Sequence, residues 1–528
     1  MKKKLAAVLL MSSLVTGLLA GCANTSQEPA ASSAEPQEQP AVQESAAPEE
    51  AGELTTIYWQ FPTDGGVSEE GLSDVEARYN EMLAENGIPA KIEFVSTTLM
   101  DAQQDAVLMV SAGEQLDIML TAFTSIDSLV GSNLILPLDD IIYENAPDAM
   151  EKSYSATKCL YKGHLYGITT GDVDYQGTAY FLKTSFLDKY GIEIDPDKFY
   201  TMDEIEEILT VIDEGEGPGN TLFTVPWQDY EPGNRQYFAL GEPSGSLSGG
   251  CINFSEVGFQ DPTIVDLFET DAYAEYAQRM YEWAQKGWIA ADAAVSTMTP
   301  DEGILLDNCA GEFYWGGVTA EKDLESSTSI DWTRLRLADY YRDSLGTAVI
   351  MWNIPSTTAD AGLALQVLNL LYKDVNAATL IQRGREGIEW EATEVAEDGT
   401  IEQIKLLNEN VTDGEYYQYY GIYGNTLDWP GVYPAGREDV ELKAAADQSV
   451  PEDRIFIGGG YTFVSESVSA EIAAVETVIS QYASVVNCGA ADPDVVLPEF
   501  IDALKASGID AIIAENQKQL DEYIAQKQ

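Results

Sequence analysis

Two rhythms of apolar positions run along this chain. Leu54 to Pro62, "LTTIYWQFP", is β-rich and ends at a proline followed by Asp64-Gly65-Gly66. Over 72–85 the period changes: Val75, Tyr79, Met82 and Leu83 recur on one helical face, and Asn86-Gly87 supplies the stop. "AKIEFVS" then alternates through Ile92 and Phe94 as a strand does, and a helix near 101–112 leads to the strand "LDIMLT" at 116–121. Strand, helix, strand, helix, strand predicts a parallel α/β sheet. Ligands of such sheets lie beyond the carboxyl ends of the strands, so the end of the first strand, Trp59-Gln60-Phe61, is a candidate site.

Helical spacing returns further on. "YTMDEIEEILTVI" opens with Thr201 and Glu204 at capping-box spacing, and Ile205, Ile208, Leu209 and Ile212 share one face. "DAYAEYAQRMYEWAQKGWI" sets Tyr276, Met280, Trp283 and Ala284 on one face, where core packing explains them; Trp283 and Trp288 are both assigned to packing. Leu363, Val367, Leu370 and Leu371 mark another amphipathic helix. The chain ends in a helix, a Gly-containing break and a last helix, and no internal repeat is visible.

The first residues follow neither rhythm. Lys2, Lys3 and Lys4 precede an apolar run from Leu5 to Ala20, which is shorter than the roughly 20 apolar residues of a spanning helix and reads as a signal peptide. Leu-Ala-Gly-Cys at 19–22 resembles the bacterial lipobox, in which the cysteine receives a diacylglycerol and becomes the new N-terminus. This resemblance implies a signal over 1–21 and a lipid anchor on Cys22. Residues 23–52 contain no Lys, Arg or aromatic side chain and one large aliphatic, Val42. Such a segment cannot bury enough apolar area to offset its ordering entropy, so 22–52 is a flexible tether reaching on the order of 30 Å.

Composition narrows the partners. Residues 53–528 are long enough for two cores and too long for one ordinary domain. Against 89 Asp+Glu stand 28 Lys+Arg, a net charge of −61, which repels nucleic acid and anionic polysaccharides at long range. Cys159, Cys251, Cys309 and Cys488 are widely spaced with no CxxC, which supports neither a zinc site nor a redox motif. Pairing is open from sequence, and unpaired core thiols are the simpler reading. His164 is the single histidine, in a probable-turn sequence "KGHLYG", which argues against histidine-rich metal sites and leaves one candidate for any His-based triad.

Several ordered segments resemble the extracellular solute-binding proteins of bacterial ABC importers, of the family 1 type and its larger lipoprotein subgroup. They are "SAGEQLDIML" at 111–120, the hairpin "YKGHLYGITT" at 161–170 (with Thr169 where proline is usual), "YFLKTSFLDKYGIEID" at 180–195, the capped "MDEIEEIL", "GREGIEWE" at 384–391 and "GIDAIIAENQKQLDEYI" at 508–524. The resemblance implies a two-lobe α/β fold of the periplasmic-binding-protein type II, hinged around a ligand cleft. Lobe 1 is expected over 53–177 plus about 345–400, and lobe 2 over 178–344 plus about 401–528. It also implies a monomer on the outer face of the cell membrane, held by lipid, that delivers ligand to the transmembrane subunits of an ABC permease with a separate ATPase. No cofactor is implied.

Members of this subgroup commonly bind oligosaccharides. A pyranose has an apolar face that stacks on Trp or Tyr and an edge of hydroxyls that pair with polar side chains. Nine Trp and 28 Tyr supply platforms. The candidates are Trp59, Trp227 and Tyr230 in "VPWQDYEPGNR", Trp315 in "EFYWGG", Trp352 in "VIMWNIP", Trp390 and Trp429, with Gln60, Asp64, Asp172, Asp229 and Arg235 as polar partners. Core packing competes as an explanation for each aromatic, and a solvated surface charge for each polar residue. Some relatives carry a calcium loop after the capped helix; here Asp213 and Glu216 in "DEGEGPGN" lack the alternating oxygen ligands of such a loop, so an acidic turn is expected there. The reading is capture of a neutral oligosaccharide without bond cleavage. A secreted glycoside hydrolase using a carboxylate pair, a glycan-presenting adhesin and a peptide receptor of the same fold are the alternatives.

Overall fold

Thr55–Pro62 is a strand because β-branched and aromatic residues dominate it, and it is buried on both faces toward its carboxyl end. The computed structural model describes residues 54–63, 66–122, 126–171, 175–223, 237–296, 298, 300–344, 350–407, 415–416, 418, 421–432 and 436–527. The signal, Cys22 and the tether lie outside these. Thr55–Pro62 pairs in parallel with Ala90–Thr97, and a parallel bridge from Trp59 to Ile118 joins it to Met119–Ala122. The predicted βαβαβ start is therefore present. Two strands from far along the chain then add in antiparallel sense: Ile350–Asn353 beside Met119–Ala122, and Gly167–Ile168 beyond it. The sheet is mixed.

The helices between these strands form as their patterns dictate. Glu69–Glu85 begins where the Ser68 hydroxyl accepts the Gly71 amide at 2.9 Å, and it buries Val75, Tyr79, Met82 and Leu83. Met202–Glu216 carries the capping box in full: the Thr201 hydroxyl accepts the Glu204 amide at 3.3 Å, and Glu204 accepts the Thr201 amide at 3.0 Å. Ala361–Lys373 is capped by Asp360, and the C-terminal pair Pro493–Ser507 and Ile509–Lys527 breaks at Gly508, whose φ is 100°. No described helix is long and apolar enough to cross a membrane.

Two large cores result. The first runs from Ile57 to Ile168 and from Met351 to Ile381, and it also takes Tyr416, Ile422 and Tyr423. Those last three were expected in the second lobe. They belong to the first because the Tyr416 hydroxyl donates to Ile381 O (2.6 Å), the Gln418 amide to Pro62 O (3.1 Å) and the Trp352 indole to Ile422 O (3.1 Å). The second core holds Tyr180 to Leu335, Tyr341 and Phe456 to Leu520. Its sheet is antiparallel, ordered Gly311–Trp315, Thr178–Lys183, Trp332–Arg336. A smaller core under its other face contains Phe181, Ile304, Leu324 and Trp332, so the central strand is buried throughout.

Four cysteines are unpaired and buried: Cys159, Cys251, Cys309 and Cys488. Burial pushes the thiols of Cys159, Cys309 and Cys488 up to about 12 and raises that of Cys251 as well. In a form lacking residues 1–52, these thiols are expected to stay silent toward an aromatic disulfide reagent until denaturant is added, when all four react. A native thiol reacting as fast as free cysteine would contradict this.

The second core also hides a carboxyl. Asp266 Oδ1 accepts the Phe268 amide at 3.0 Å, while its Oδ2 is buried without a hydrogen-bond partner. Desolvation, opposed by the Phe268 amide and reinforced by Glu269 and Asp510, raises this group from its ordinary value to about 7. Between the unfolded and folded values the native state binds the extra proton, so stability is present at low pH and falls as pH rises from about 4 to about 7. Asp266→Asn is expected to remove that slope and to stabilise the chain by about 1–3 kcal/mol at pH 8 with little effect at pH 4, read from urea unfolding at both values.

Candidate functional site

Membership of the two cores shows that the chain passes between them three times: after Ile168, before Met351, and between Tyr423 and Phe456. The described ends of these passages lie side by side. Gly171 bridges Asn425, Gln176 pairs with Tyr341, and Arg342 pairs with Ile455. Gln176 and Tyr341 exchange both backbone bonds, at 2.8 and 3.0 Å. This bundle of extended segments is a hinge in form, with each core free of the other except through it and one contact, where Lys162 pairs with Glu466.

Each sheet turns one edge toward the passages. In the first, the carboxyl ends of the parallel strands meet the start of the antiparallel one: the Thr63 amide donates to Thr97 O at 2.9 Å, Ile350 stands opposite Ala122, and the Thr169 hydroxyl donates to Ile350 O at 3.0 Å. In the second, Trp315 pairs with Thr178 at the end of its strand and the Gly316 amide donates to Gly177 O at 3.3 Å. The space between two such edges is where a two-lobed α/β protein holds a ligand.

The sequence candidates divide at this point. Trp59 and Gln60 are fully buried. Trp59 packs among Phe61, Tyr79, Phe94, Trp352 and Tyr423, at centroid distances from 5.6 to 6.5 Å. Gln60 donates to Ala102 O (2.5 Å) and accepts from the Leu120 amide (3.0 Å), so both ends of its amide tie strand to strand and strand to helix. Trp352 is buried with its indole on Ile422 O, and Trp390 is buried with its indole on Gly384 O at 3.0 Å. These four are corrected from ligand contacts to core. Asp64, Asp172, Trp227, Asp229, Tyr230 and Arg235 lie outside the described residues; the flanking Thr63 and Gly171 stand at the first sheet's edge. Trp315 occupies the last strand position at the second edge.

Trp429 alone of the described tryptophan candidates is half-buried. It borders a pocket of about 290 Å³ with Lys152, Tyr372, Asn425, Asp428 and Arg437. Its indole donates to Tyr423 O at 3.1 Å, and the Arg383 guanidinium sits 6.0 Å from its ring. Arg437 fixes the backbone beneath it by donating to Leu427 O (2.7 Å), Asp428 O (3.3 Å) and Trp429 O, and Lys152 holds Asp428 at 3.1 Å. A rigid aromatic face ringed by an amide, a carboxylate and cations suits a sugar. Periodicity gave no sign of Arg437 or Arg383, because a lone arginine in a loop has no pattern to betray it.

The acidic turn is occupied by its own neighbours. Asp213 accepts the Gly219 amide at 3.0 Å, and Glu216 accepts from the Tyr190 hydroxyl at 2.8 Å and from Lys189. No cluster of three metal-ligating side chains occurs among the described residues. His164 is exposed on the hairpin Tyr161–His164, 3.3 Å from Asp139, and Lys162 and Gly163 take φ of 51° and 79° to close that turn.

Residues 457–525 match the family model of a domain of unknown function, DUF3502. A carbohydrate ABC transporter substrate-binding protein of Streptococcus pneumoniae serotype 4 is 20% identical over 475 residues, covering 88% of this chain and 90% of that protein. The crystal structure of the N-glycan transport solute binding protein (NgtS) from Streptococcus pneumoniae superposes with a TM-score of 0.75 at 18% identity, over 90% of this chain and all of that one. The same protein in complex with Man1GlcNAc superposes at 0.67, with 18% identity over 89% of this chain and 100% of that one. By sequence and by fold, this chain is a relative of the solute-binding proteins of ABC importers, two-lobed α/β binding components rather than enzymes.

Proposed function

We propose that the chain is the extracellular receptor of an ABC importer, that it captures a neutral oligosaccharide between its lobes, and that a lipid on Cys22 keeps it beside its permease. The observation that carries this reading is the arrangement of two α/β cores whose sheet edges both face a hinge of extended segments. The rigid half-buried Trp429 and the strand-end Trp315 supply platforms for a pyranose face. The net charge of −61 favours a neutral over an anionic glycan, and a structural relative is known in complex with Man1GlcNAc. Ligand stacked on one lobe gains contacts from the other only when the hinge closes, so binding and closure are linked. The tether over 22–52 lets the anchored lobes reach both ligand and permease, whose transmembrane subunits and separate ATPase complete the importer.

A thermal-shift screen of residues 53–528 tests this against neutral oligosaccharides, acidic oligosaccharides and a peptide pool. Ligand at a hundred times its dissociation constant adds about 2.7 kcal/mol. A shift with neutral glycans, recovered intact, is expected. A shift with peptides alone would reassign the receptor to peptides, and cleavage of the glycan would make it an enzyme. Metabolic labelling with a fatty acid, lost in Cys22→Ser, tests the anchor.

A further inference from the structure

The turn that follows Trp315 is tied to every passage between the lobes. On the first passage, the Tyr175 hydroxyl accepts the Val318 amide at 3.1 Å and Gly177 O accepts the Gly316 amide at 3.3 Å. On the second, Tyr340 stacks on Tyr175 with ring centroids 4.7 Å apart. On the third, Ala446 and Val450 pack with this tyrosine pair, and Val318 and Ile455 close the cluster. Arg334, on the neighbouring strand, locks the assembly. Its guanidinium donates to Gly316 O (3.3 Å), to Gly317 O and to the Tyr340 hydroxyl (3.2 Å), and its side chain is 13% exposed.

The approach is too close for side chains. A Cβ on Gly316 would stand 2.8 Å from the Gly177 carbonyl carbon, and one on Gly177 would stand 2.8 Å from Gly316 O and 3.0 Å from the Tyr340 ring. Both glycines are therefore demanded by backbone contact between turn and hinge. A turn held this way cannot shift when the passages rotate without moving with them.

We infer that Arg334, Tyr175 and Tyr340 form a brace that makes the Trp315–Val318 turn part of the hinge, so that Arg334 is a positioning residue acting on ligand through Trp315. The inference rests on the carbohydrate-receptor reading for its ligand but not for its geometry. Rotation of the lobes carries the turn as a rigid piece, and a sugar seated on Trp315 in turn favours the hinge angle at which that seat is reached.

Amide hydrogen exchange on residues 53–528, without ligand, tests the brace. Tyr175→Phe removes the acceptor of the Val318 amide, and Arg334→Gln releases the two glycine carbonyls. Exchange at the Gly316 and Val318 amides is expected to quicken about tenfold or more in these variants, with the interior of Thr178–Lys183 and the melting temperature unchanged and with Arg334→Lys falling in between. Quickening across the whole sheet, or none at Gly316 and Val318, would overturn the brace. The link to ligand is read with Man1GlcNAc as probe. Arg334→Gln is expected to weaken binding about fivefold in the native background and to add nothing in a Trp315→Ala background, whereas an equal effect in both overturns the action through Trp315. A native chain that binds no glycan would refute the carbohydrate reading, and the exchange result would still decide the brace.

Discussion

Replacing Trp59 with alanine is expected to cost about 3–5 kcal/mol of stability and to leave the ligand affinity of the folded protein unchanged. The indole is fully buried and touches five aromatic rings from four separate parts of the chain. Removing it opens a cavity where the first strand, the helix Glu69–Glu85, the strand Ile350–Asn353 and the 416–423 segment meet. The neighbours are held by their own bonds, Tyr79 to Val367 O (2.9 Å) and Trp352 to Ile422 O (3.1 Å), so they cannot collapse into the space. Trp59→Phe should cost much less, because the Trp59 Nε1 hydrogen has no acceptor and its removal relieves a buried donor. Urea unfolding of the two variants, with a titration of each by ligand, checks both halves. A loss of affinity with unchanged stability would return Trp59 to the site.

Arg385→Ala is expected to be nearly as damaging, at about 3–5 kcal/mol. Its guanidinium donates to Glu389 at 2.7 and 3.2 Å, to Asp74 at 2.7 Å and to Glu415 at 3.0 Å. The partners differ in exposure: the Glu389 side chain is 5% exposed, against 54% and 56% for Asp74 and Glu415. The two surface acids lose little when the arginine goes, since exposed pairs contribute little. Glu389 instead keeps a charge in a buried place, with the Arg385 backbone amide at 2.7 Å as a remaining donor. The same bonds raise the guanidinium's proton affinity, Glu389 foremost. The double variant Arg385→Met/Glu389→Leu should recover most of the loss, because it removes both charges rather than stranding one. Unfolding free energies of the single and double variants measure this directly, and an additive double variant would contradict it.

Elements whose cause is local were legible in the sequence. The capping box at Thr201 and Glu204 and the apolar face of Glu69–Glu85 act within one or two turns, so their spacing alone announces them. Two inferences about Trp59 and Gln60 failed together, and for one reason. Strand-end position was read as proximity to ligand, but helices cover both faces of this sheet, so consecutive residues of Thr55–Pro62 are all buried toward its end. The addition of Ile350–Asn353 to a sheet begun near residue 55 is a long-range pairing that no local pattern encodes. The placement of 416–423 in the first core likewise depends on single side-chain bonds such as Gln418 to Pro62 O. Of the candidate platforms, Trp315 and Trp429 stand where the fold leaves a ligand room, in segments rich in glycine or proline. Loop composition marked them, whereas the buried tryptophans lay within or beside strands.

The central claim is that a neutral oligosaccharide is the cargo, and a calorimetric titration tests it most directly. Residues 53–528 are titrated with a neutral mannose-containing oligosaccharide, with its uronate-bearing counterpart and with a peptide pool. The account predicts saturable one-to-one binding of the neutral glycan with a negative heat-capacity change from buried apolar surface, weaker binding of the acidic one, and the glycan recovered intact. Saturable heat from peptides with none from any neutral glycan would contradict it.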